Sequence, residues 1–351
     1  MIINYTPISL FSYRFNGGKS HLRALLKGFH NNHYFIIQFG GLSKPYVNYN
    51  RYERTLFINI FPYNIPPERI SEEKIVDRRK IKSAVIKFLK VCVSAVFNAM
   101  ISSIALFNEV GYYERATKSL TFRPIFIRRK ILEINDSYIP TDYKWFDVIV
   151  CVDRPNDIDQ IKIFQNPWPC EVSIIYHQYK GKAISMNQKL NLVIINTSPY
   201  GISSTNISLF IEKLMAKNIQ VEIFYIGYQD DLVNIPLEVN ILKVNYYPIV
   251  NFESYIKLLS EMDIAFVTYG NSLDENQKRV AVPMKIMDLL ACNIKVFCDQ
   301  KFNVFEKYPG IVEYFDQENP QIDFTVTSTV NMEVFFNDVD PTNYINRMLS
   351  I

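Results

Sequence analysis

The sequence predicts an α/β protein built from two doubly wound domains facing a cleft. Three observations lead there. Apolar runs of strand length alternate with helical stretches, most regularly between residues 190 and 298. The strands are apolar almost without interruption, as in Leu190-Asn-Leu-Val-Ile-Ile-Asn196 and Ile294-Lys-Val-Phe-Cys298, which suits parallel sheets covered on both faces. The chain has 351 residues, 48% of them apolar, enough for two cores. Ligands of such sheets bind beyond the carboxyl ends of the strands, and the cleft between two such domains is the default site.

Composition narrows the function. A net charge of +3 is too small to imply nucleic acid. Five cysteines (Cys92, Cys151, Cys170, Cys292, Cys298) include no Cys-x-x-Cys pair, which argues for a reducing cytosol and against a disulfide frame or zinc. His21, His30, His33 and His177 show no metal spacing, so no metal is expected. The start of the chain lacks a signal-peptide pattern, with Arg14 and Lys19 following soon.

In the first half, Met1–Phe11 reads as a strand, Ser12–His21 as a glycine turn, and Ser20–Phe29 as a helix. Strand, glycine turn and helix can cradle a phosphate, which makes Gly17, Gly18 and Lys19 a candidate acceptor or phosphate loop; a plain tight turn fits as well. Strands follow at 34–39 and 55–61, then the proline-rich loop 61–67. Arg78, Arg79, Lys80, Lys82, Lys87 and Lys90 form a basic cluster, and no charge occurs between Lys90 and Glu109. The uncharged run is at the short limit for a membrane span and carries serines and Asn98, so a buried helix (80–99) and a strand (101–107) are expected. A basic amphipathic helix resting on an anionic membrane is the alternative. Further expectations are a helix over 109–120 and strands at 129–134, 146–152 and 171–177. The second half restarts with strand 190–196, helix 203–217, strands 219–226 and 239–244, helix 252–261 and strand 263–268. Domain 1–180, linker 181–189, domain 190–335 and a C-terminal segment 336–351 packing back on the first domain complete the division.

The organising stretch is Val282–Asp299. Pro283 suits a first helical position, and Asn293 suits the stop. Lys285 and Asp288 interrupt an apolar helix, three residues apart and so on one face. A cation in the first turn opposes the helix dipole, so helix stability does not explain Lys285. A helix N-terminus with a lysine is a phosphate site, and an acid one turn deeper is placed for sugar hydroxyls. A helix with a wet edge is the plain alternative.

These stretches resemble the nucleotide-sugar glycosyltransferases of the GT-B fold, two Rossmann-like domains facing a cleft. The similarity is to the large retaining group that includes glycogen synthase and many bacterial cell-surface enzymes. Leu190–Ser203 resembles the first strand and loop of their donor domain, and Val221–Tyr228 the strand ending in glycine. Tyr255–Tyr269 is similar to their helix, acidic turn and strand, and Pro283–Phe297 to the motif Pro-x-Lys-x-x-Glu-x-x-Ala. Gly17-Gly18-x-x-His21 resembles their N-terminal glycine loop.

The resemblance implies that Asp288 holds the ribose hydroxyls, that Lys285, Pro283 and Met284 face the diphosphate, and that Gly227 admits the base. Thr268, Tyr269 and Gly270 would lie at the mouth of the neighbouring strand, and Ser198 is a further donor-side candidate. Val280 stands where the family often has a second acid, eight positions before Asp288, and Asn196–Gly201 lacks the usual Arg and Lys. The diphosphate charge would then need Lys285, Lys278 or Arg279. Asp136 and His21 are the catalytic candidates; a turn cap and a helix-face packing residue are their plainer roles.

The implied function is transfer of a hexose, with retention, from a nucleotide diphosphate sugar to a glycan or lipid-linked acceptor in bacterial surface polysaccharide synthesis. UDP is the expected nucleotide, with no further cofactor. The expected location is cytoplasmic, with peripheral contact on the inner membrane face. A catalytically inactive binding protein of the same fold is the alternative.

Overall fold

The computed structural model describes residues 1–5, 17–39, 46–59, 92, 95–96, 98–115, 123–134, 142–153, 158, 162–179, 189–196, 202–227, 241–247, 252–270, 278, 283–316, 322, 324 and 329–351. They divide into two compact units, Met1–Asn166 with Pro341–Ile351, and Pro167–Asp340. Each is a wound α/β sheet. Of the expected linker 181–189, only Lys189 lies among the described residues.

In the first unit, β1 (Ile2–Tyr5), α1 (Gly17–Asn31), β2 (Ile36–Phe39), β3 (Tyr46–Asn50) and β4 (Thr55–Asn59) come first. Helix α2 (98–107), β5 (Gly111–Arg115), β6 (Arg129–Ile134), β7 (Val148–Cys151) and β8 (Lys162–Gln165) follow. The sheet order is β3-β4-β2-β1-β5-β6-β7-β8, parallel except for the antiparallel β3–β4 pair. The order reverses direction between β1 and β5. Ile3, Ile37, Tyr112, Leu132, Ile134 and Ile149 form the core of one face, packed against Ile101 and Ala105 of α2.

In the second unit, α3 (Ser173–Tyr179) precedes β9 (Lys189–Asn196), α4 (Ser204–Ala216), β10 (Gln220–Gly227), β11 (Ile241–Tyr247) and α5 (Phe252–Leu259). Then come β12 (Ile264–Val267), α6 (Met284–Ala291), β13 (Lys295–Cys298), α7 (Asn303–Glu306), β14 (Val312–Tyr314) and α8 (Thr329–Val339). The parallel order β11-β10-β9-β12-β13-β14 turns back between β9 and β12. Phe210 of α4 stacks on Phe266 of β12 with ring centres 4.4 Å apart, and Leu192, Ile194, Ile223 and Phe297 close the core around them.

Helix α9 (Pro341–Ser350) packs on α1. A Cβ on Gly28 would lie 2.3 Å from the Pro341 carbonyl oxygen, so the two backbones meet only because residue 28 has no side chain. Asn31 Nδ2 donates to Thr342 Oγ1 at 2.9 Å, and Arg129 donates to the Leu349 carbonyl. The C-terminal helix is thus part of the first unit.

Five expectations for local structure differ from the structure. Residues 101–107 are helix, not strand. The apolar run there is helical because Asn98, Ile101 and Ala105, at spacings of three and four, face the core together. Gly111–Arg115 is a strand, not a helix, because it fills the centre of the sheet between β1 and β6. Ser173–Tyr179 is a helix despite its β-branched residues; Tyr176 stacks on Phe336 of α8 with centres 4.4 Å apart. β3 and β8 were not expected; their mixed residues suit sheet edges, and a turn at residues 51–54 joins β3 to β4.

Candidate functional site

The second unit gathers its polar side chains at the carboxyl edge of the sheet, around the point where the strand order reverses. Helix α6 supplies the first of them. Pro283 is its N-cap, one position before the expected one (φ −68°, ψ 102°), and its carbonyl accepts from the Ile286 and Met287 amides. The amides of Met284 and Lys285 therefore precede the first backbone bonds of the helix. Asn293, at φ 55°, stops the helix in the left-handed conformation, and Ile294 N–H reaches back to the Leu289 carbonyl.

Neither charge on α6 lies on a wet edge. The Lys285 ammonium is buried and has no hydrogen-bond partner among the described residues. It sits 4.1 Å from the centre of the Tyr269 ring, which follows the end of β12. Burial pushes Lys285 down to about 8, against the pull of Cys298 and Asp299. Asp288, 3% exposed, accepts a hydrogen bond from the Tyr255 hydroxyl at 3.2 Å through Oδ2, while Oδ1 has no hydrogen-bond partner among the described residues. Burial pushes its carboxyl up to about 7, outweighing Tyr255.

Asp299, just past β13, completes the group. Its Oδ2 accepts from Asn206 Nδ2 of α4 at 2.7 Å and from the Thr268 hydroxyl after β12. Oδ1 is buried without a hydrogen-bond partner among the described residues, and burial raises this carboxyl as well. One side chain thus ties α4, β12 and β13 together at the switch point. Gly227 ends β10, where a Cβ would lie 2.4 Å from the Asn196 carbonyl oxygen. That close approach accounts for the glycine without a ligand.

Of the residues singled out from the sequence, Pro283, Met284, Lys285 and Tyr269 meet here, with exposed Gly270 beside them and Asp288 one turn deeper on α6. Ser198 and Arg279 lie outside the described residues. Asp299, Asn206 and Tyr255 were not assigned from the sequence. The only signal was the position of Asp299 directly after an apolar strand.

The first unit has its own buried polar group. His21 of α1 is 5% exposed, and its Nε2 lies 2.9 Å from Glu133 Oε2 on β6. Tyr113 donates to the same oxygen, and Arg115 Nε stands 3.7 Å from Oε1. Burial would raise the Glu133 carboxyl, but the charge and hydrogen bond of His21, with Arg115 and Tyr113, hold it at about 2. A glutamate inside the apolar strand Arg129–Ile134 was its signal in the sequence. Asp136 lies outside the described residues. Gly17, Gly18 and Lys19 form the first turn of α1, not a loop before it, so the helix begins three residues earlier than expected. Among the described residues no three His, Cys, Asp or Glu side chains come together to hold a metal.

The fold has clear relatives. The UDP-forming α,α-trehalose-phosphate synthase of Burkholderia xenovorans is similar at a TM-score of 0.59 and 10% identity, over 99% of this chain and 97% of that one. The corresponding enzyme of Burkholderia vietnamiensis gives 0.57 at 8% identity over 100% of both chains. AviGT4, a glycosyltransferase involved in avilamycin A biosynthesis, gives 0.53 at 10% identity over 99% and 96%. No protein-family model matches the sequence, and no curated protein sequence matches it. Two doubly wound α/β units with this whole-length likeness define the GT-B fold.

Proposed function

We propose that the protein is a glycosyltransferase that moves a hexose from a nucleotide diphosphate sugar, UDP-linked, to a glycan or lipid-linked acceptor in surface polysaccharide synthesis. The observation that carries this reading is the Lys285 ammonium, buried and without a hydrogen-bond partner among the described residues, in the first turn of α6. A diphosphate would supply the missing partner, and the free amides of Met284 and Lys285 would add donors. Sugar transfer breaks the bond between the anomeric carbon and the diphosphate oxygen, so the leaving group needs positive charge as its own charge develops. Asp288 Oδ1 would accept from the ribose hydroxyls. The whole-length neighbours include enzymes described as UDP-forming and one bound to UDP-2-fluoro glucose, which supports UDP. Retention is supported by a neighbour described through glycosyl transfer with retention. The acceptor would bring the protein to the inner membrane face.

A thermal-shift screen with UDP, GDP, ADP and CMP tests the reading, since a ligand of the folded state raises its melting temperature by mass action. A shift with one diphosphate, lost in Asp288→Ala and in Lys285→Ala, is the expected result. No shift with any of them would favour a non-catalytic protein of this fold, for which the absence of Arg and Lys from Asn196–Gly201 speaks.

A further inference from the structure

The edges of the two sheets are not alike. The described edge strands are β3 and β8 in the first unit and β11 and β14 in the second. An edge strand offers a row of backbone N–H and C=O groups to any chain that can pair with it, and charge, shortness or a bulge ordinarily blunts it. β8 carries Lys162, β11 carries Lys243, and β14 is three residues long with Glu313. β3, Tyr46-Val47-Asn48-Tyr49-Asn50, has no charge, proline or glycine, and it pairs with β4 over five successive residues without a break in register.

The exposed side chains of this edge are apolar. Tyr49 continues the row Ile3, Ile37 and Leu56 across four strands, so it shares the face of the buried core. Val47 lies opposite Ile58 on the same face. Val47 is 71% exposed and Tyr49 51%, and the Phe35 ring stacks on Tyr49 with centres 6.2 Å apart. The core face thus runs past the last described strand into solvent. The turn behind it is fixed, because Asn50 Oδ1 accepts from the Tyr52 and Glu53 amides at 3.0 and 3.3 Å. The edge is therefore presented in one shape.

We propose that β3 pairs antiparallel with β3 of a second copy of this chain about a two-fold axis, joining two first-unit sheets edge to edge. In the register that uses all five residues, Asn48 meets its own counterpart. Val47 then meets Tyr49 of the other copy, twice, as an aliphatic–aromatic cross-strand pair. The charges select this occupant. Arg51, Glu53 and Arg54 lie in the turn at one end of β3. The two-fold axis sends the two turns to opposite ends of the ribbon, with the Arg51 backbones about 20 Å apart, beyond screened repulsion. A charged peptide would find no counter-charge along β3. The axis also points the carboxyl edges of the two sheets opposite ways, so the pairing is independent of the donor reading and needs no nucleotide. Five residues make a small interface, with an expected dissociation constant of about 1–100 μM.

Sedimentation velocity of the full chain over that concentration range tests it. Monomer should give way to dimer as concentration rises. The double variant Val47→Lys, Tyr49→Lys should weaken the dimer about tenfold or more. Both side chains are more than half exposed, so its melting temperature in dilute solution and its nucleotide response should match the wild type. Cross-linking reads the register. With exposed Cys92 replaced by serine, Asn48→Cys should give a disulfide dimer on oxidation with diamide, because directly opposed residues lie about 5 Å apart. Asn50→Cys should not, since its counterpart would be about 14 Å away along the ribbon. A chain monomeric throughout, a dimer that the two lysines leave intact, or equal cross-linking at positions 48 and 50 would overturn the proposal. The expected dimer in a chain without any nucleotide response would uphold it and sink the donor reading alone.

Discussion

Replacing Lys285 by methionine should stabilise the protein while removing diphosphate binding. Burial holds the Lys285 ammonium at about 8, down from 10.5, with no hydrogen-bond partner among the described residues. That fall corresponds to about 3 kcal/mol of unfavourable burial of the charged form. The Tyr269 ring, 4.1 Å away, returns part of it. A desolvated cation over an aromatic face contributes about 1–2 kcal/mol, which leaves a net cost of about 1–2 kcal/mol. Methionine fills a similar volume without the charge. Lys285→Met should therefore raise the melting temperature at pH 7 by roughly 2–8 °C. The sign with pH is fixed. The folded value lies below the unfolded one, so the cost is complete below about 8 and fades as pH rises toward 10.5. The advantage of the variant should shrink over that interval. Melting curves at pH 7 and pH 10 with isothermal titration of UDP provide the assay. A lower melting temperature for Lys285→Met at pH 7 would show that the ammonium has a structural partner. Unchanged UDP affinity would refute its role toward the diphosphate.

Other consequences follow from neighbouring groups. The Asp288 carboxyl is raised from 3.8 to about 7, so it lowers stability as pH rises between those values. Asp288→Asn should be up to about 4 kcal/mol more stable than wild type at pH 8 and little different at pH 4, as read by urea denaturation; parallel profiles would contradict it. Glu133 behaves oppositely: held at about 2 against 4.5, it contributes stability above 4.5 that is lost as pH falls toward 2. Glu133→Gln should cost about 3–5 kcal/mol at neutral pH by leaving its partners uncompensated, and should flatten the acid limb of the stability profile. Gly227→Ala should destabilise by about 2–3 kcal/mol, since residual shifts in a packed strand rarely relieve such a clash; the Asn196 carbonyl 2.4 Å from the new Cβ is the cause, and a wild-type urea midpoint would refute it.

The second unit was more legible in the sequence than the first. Its strands are buried on both faces, so β9, β12 and β13 read directly from apolar runs of the right length. Helix α4 falls within the expected helix 203–217, and Ser203 caps it, its side chain accepting from the Asn206 amide. In the first unit the same reasoning met conflicting signals. Residues 91–108 carry no charge, so no polar face marks their helix. β5 lies within the stretch 109–120 expected as a helix, where Glu114 and Arg115 interrupt the apolar pattern of a buried strand. In the fold Glu114 is buried and paired with Arg123, whose guanidinium also binds Asp142, a partner that sequence separation conceals.

The site was half legible for a related reason. Lys285 and Asp288 stood out because charges inside an apolar helix need an explanation, and they lie three residues apart. Asp299 and Asn206 are 93 residues apart, and Tyr255 and Asp288 are 33 apart. No local pattern encodes such pairs; only the winding of the sheet brings the ends of β12 and β13 beside the start of α4. Once assembled, the edge holds three buried atoms without hydrogen-bond partners among the described residues, Lys285 Nζ, Asp288 Oδ1 and Asp299 Oδ1. Apolar residues of similar size would make a more stable unit. Oδ1 of Asp288 and Oδ1 of Asp299 can only accept while ionised, and Lys285 can only donate. A ligand that satisfies all three must bring both hydroxyl donors and an anionic acceptor. A nucleotide diphosphate sugar carries both in one molecule. A simple anion carries only the second, so it should leave the two carboxylates as they are and bind more weakly than the nucleotide.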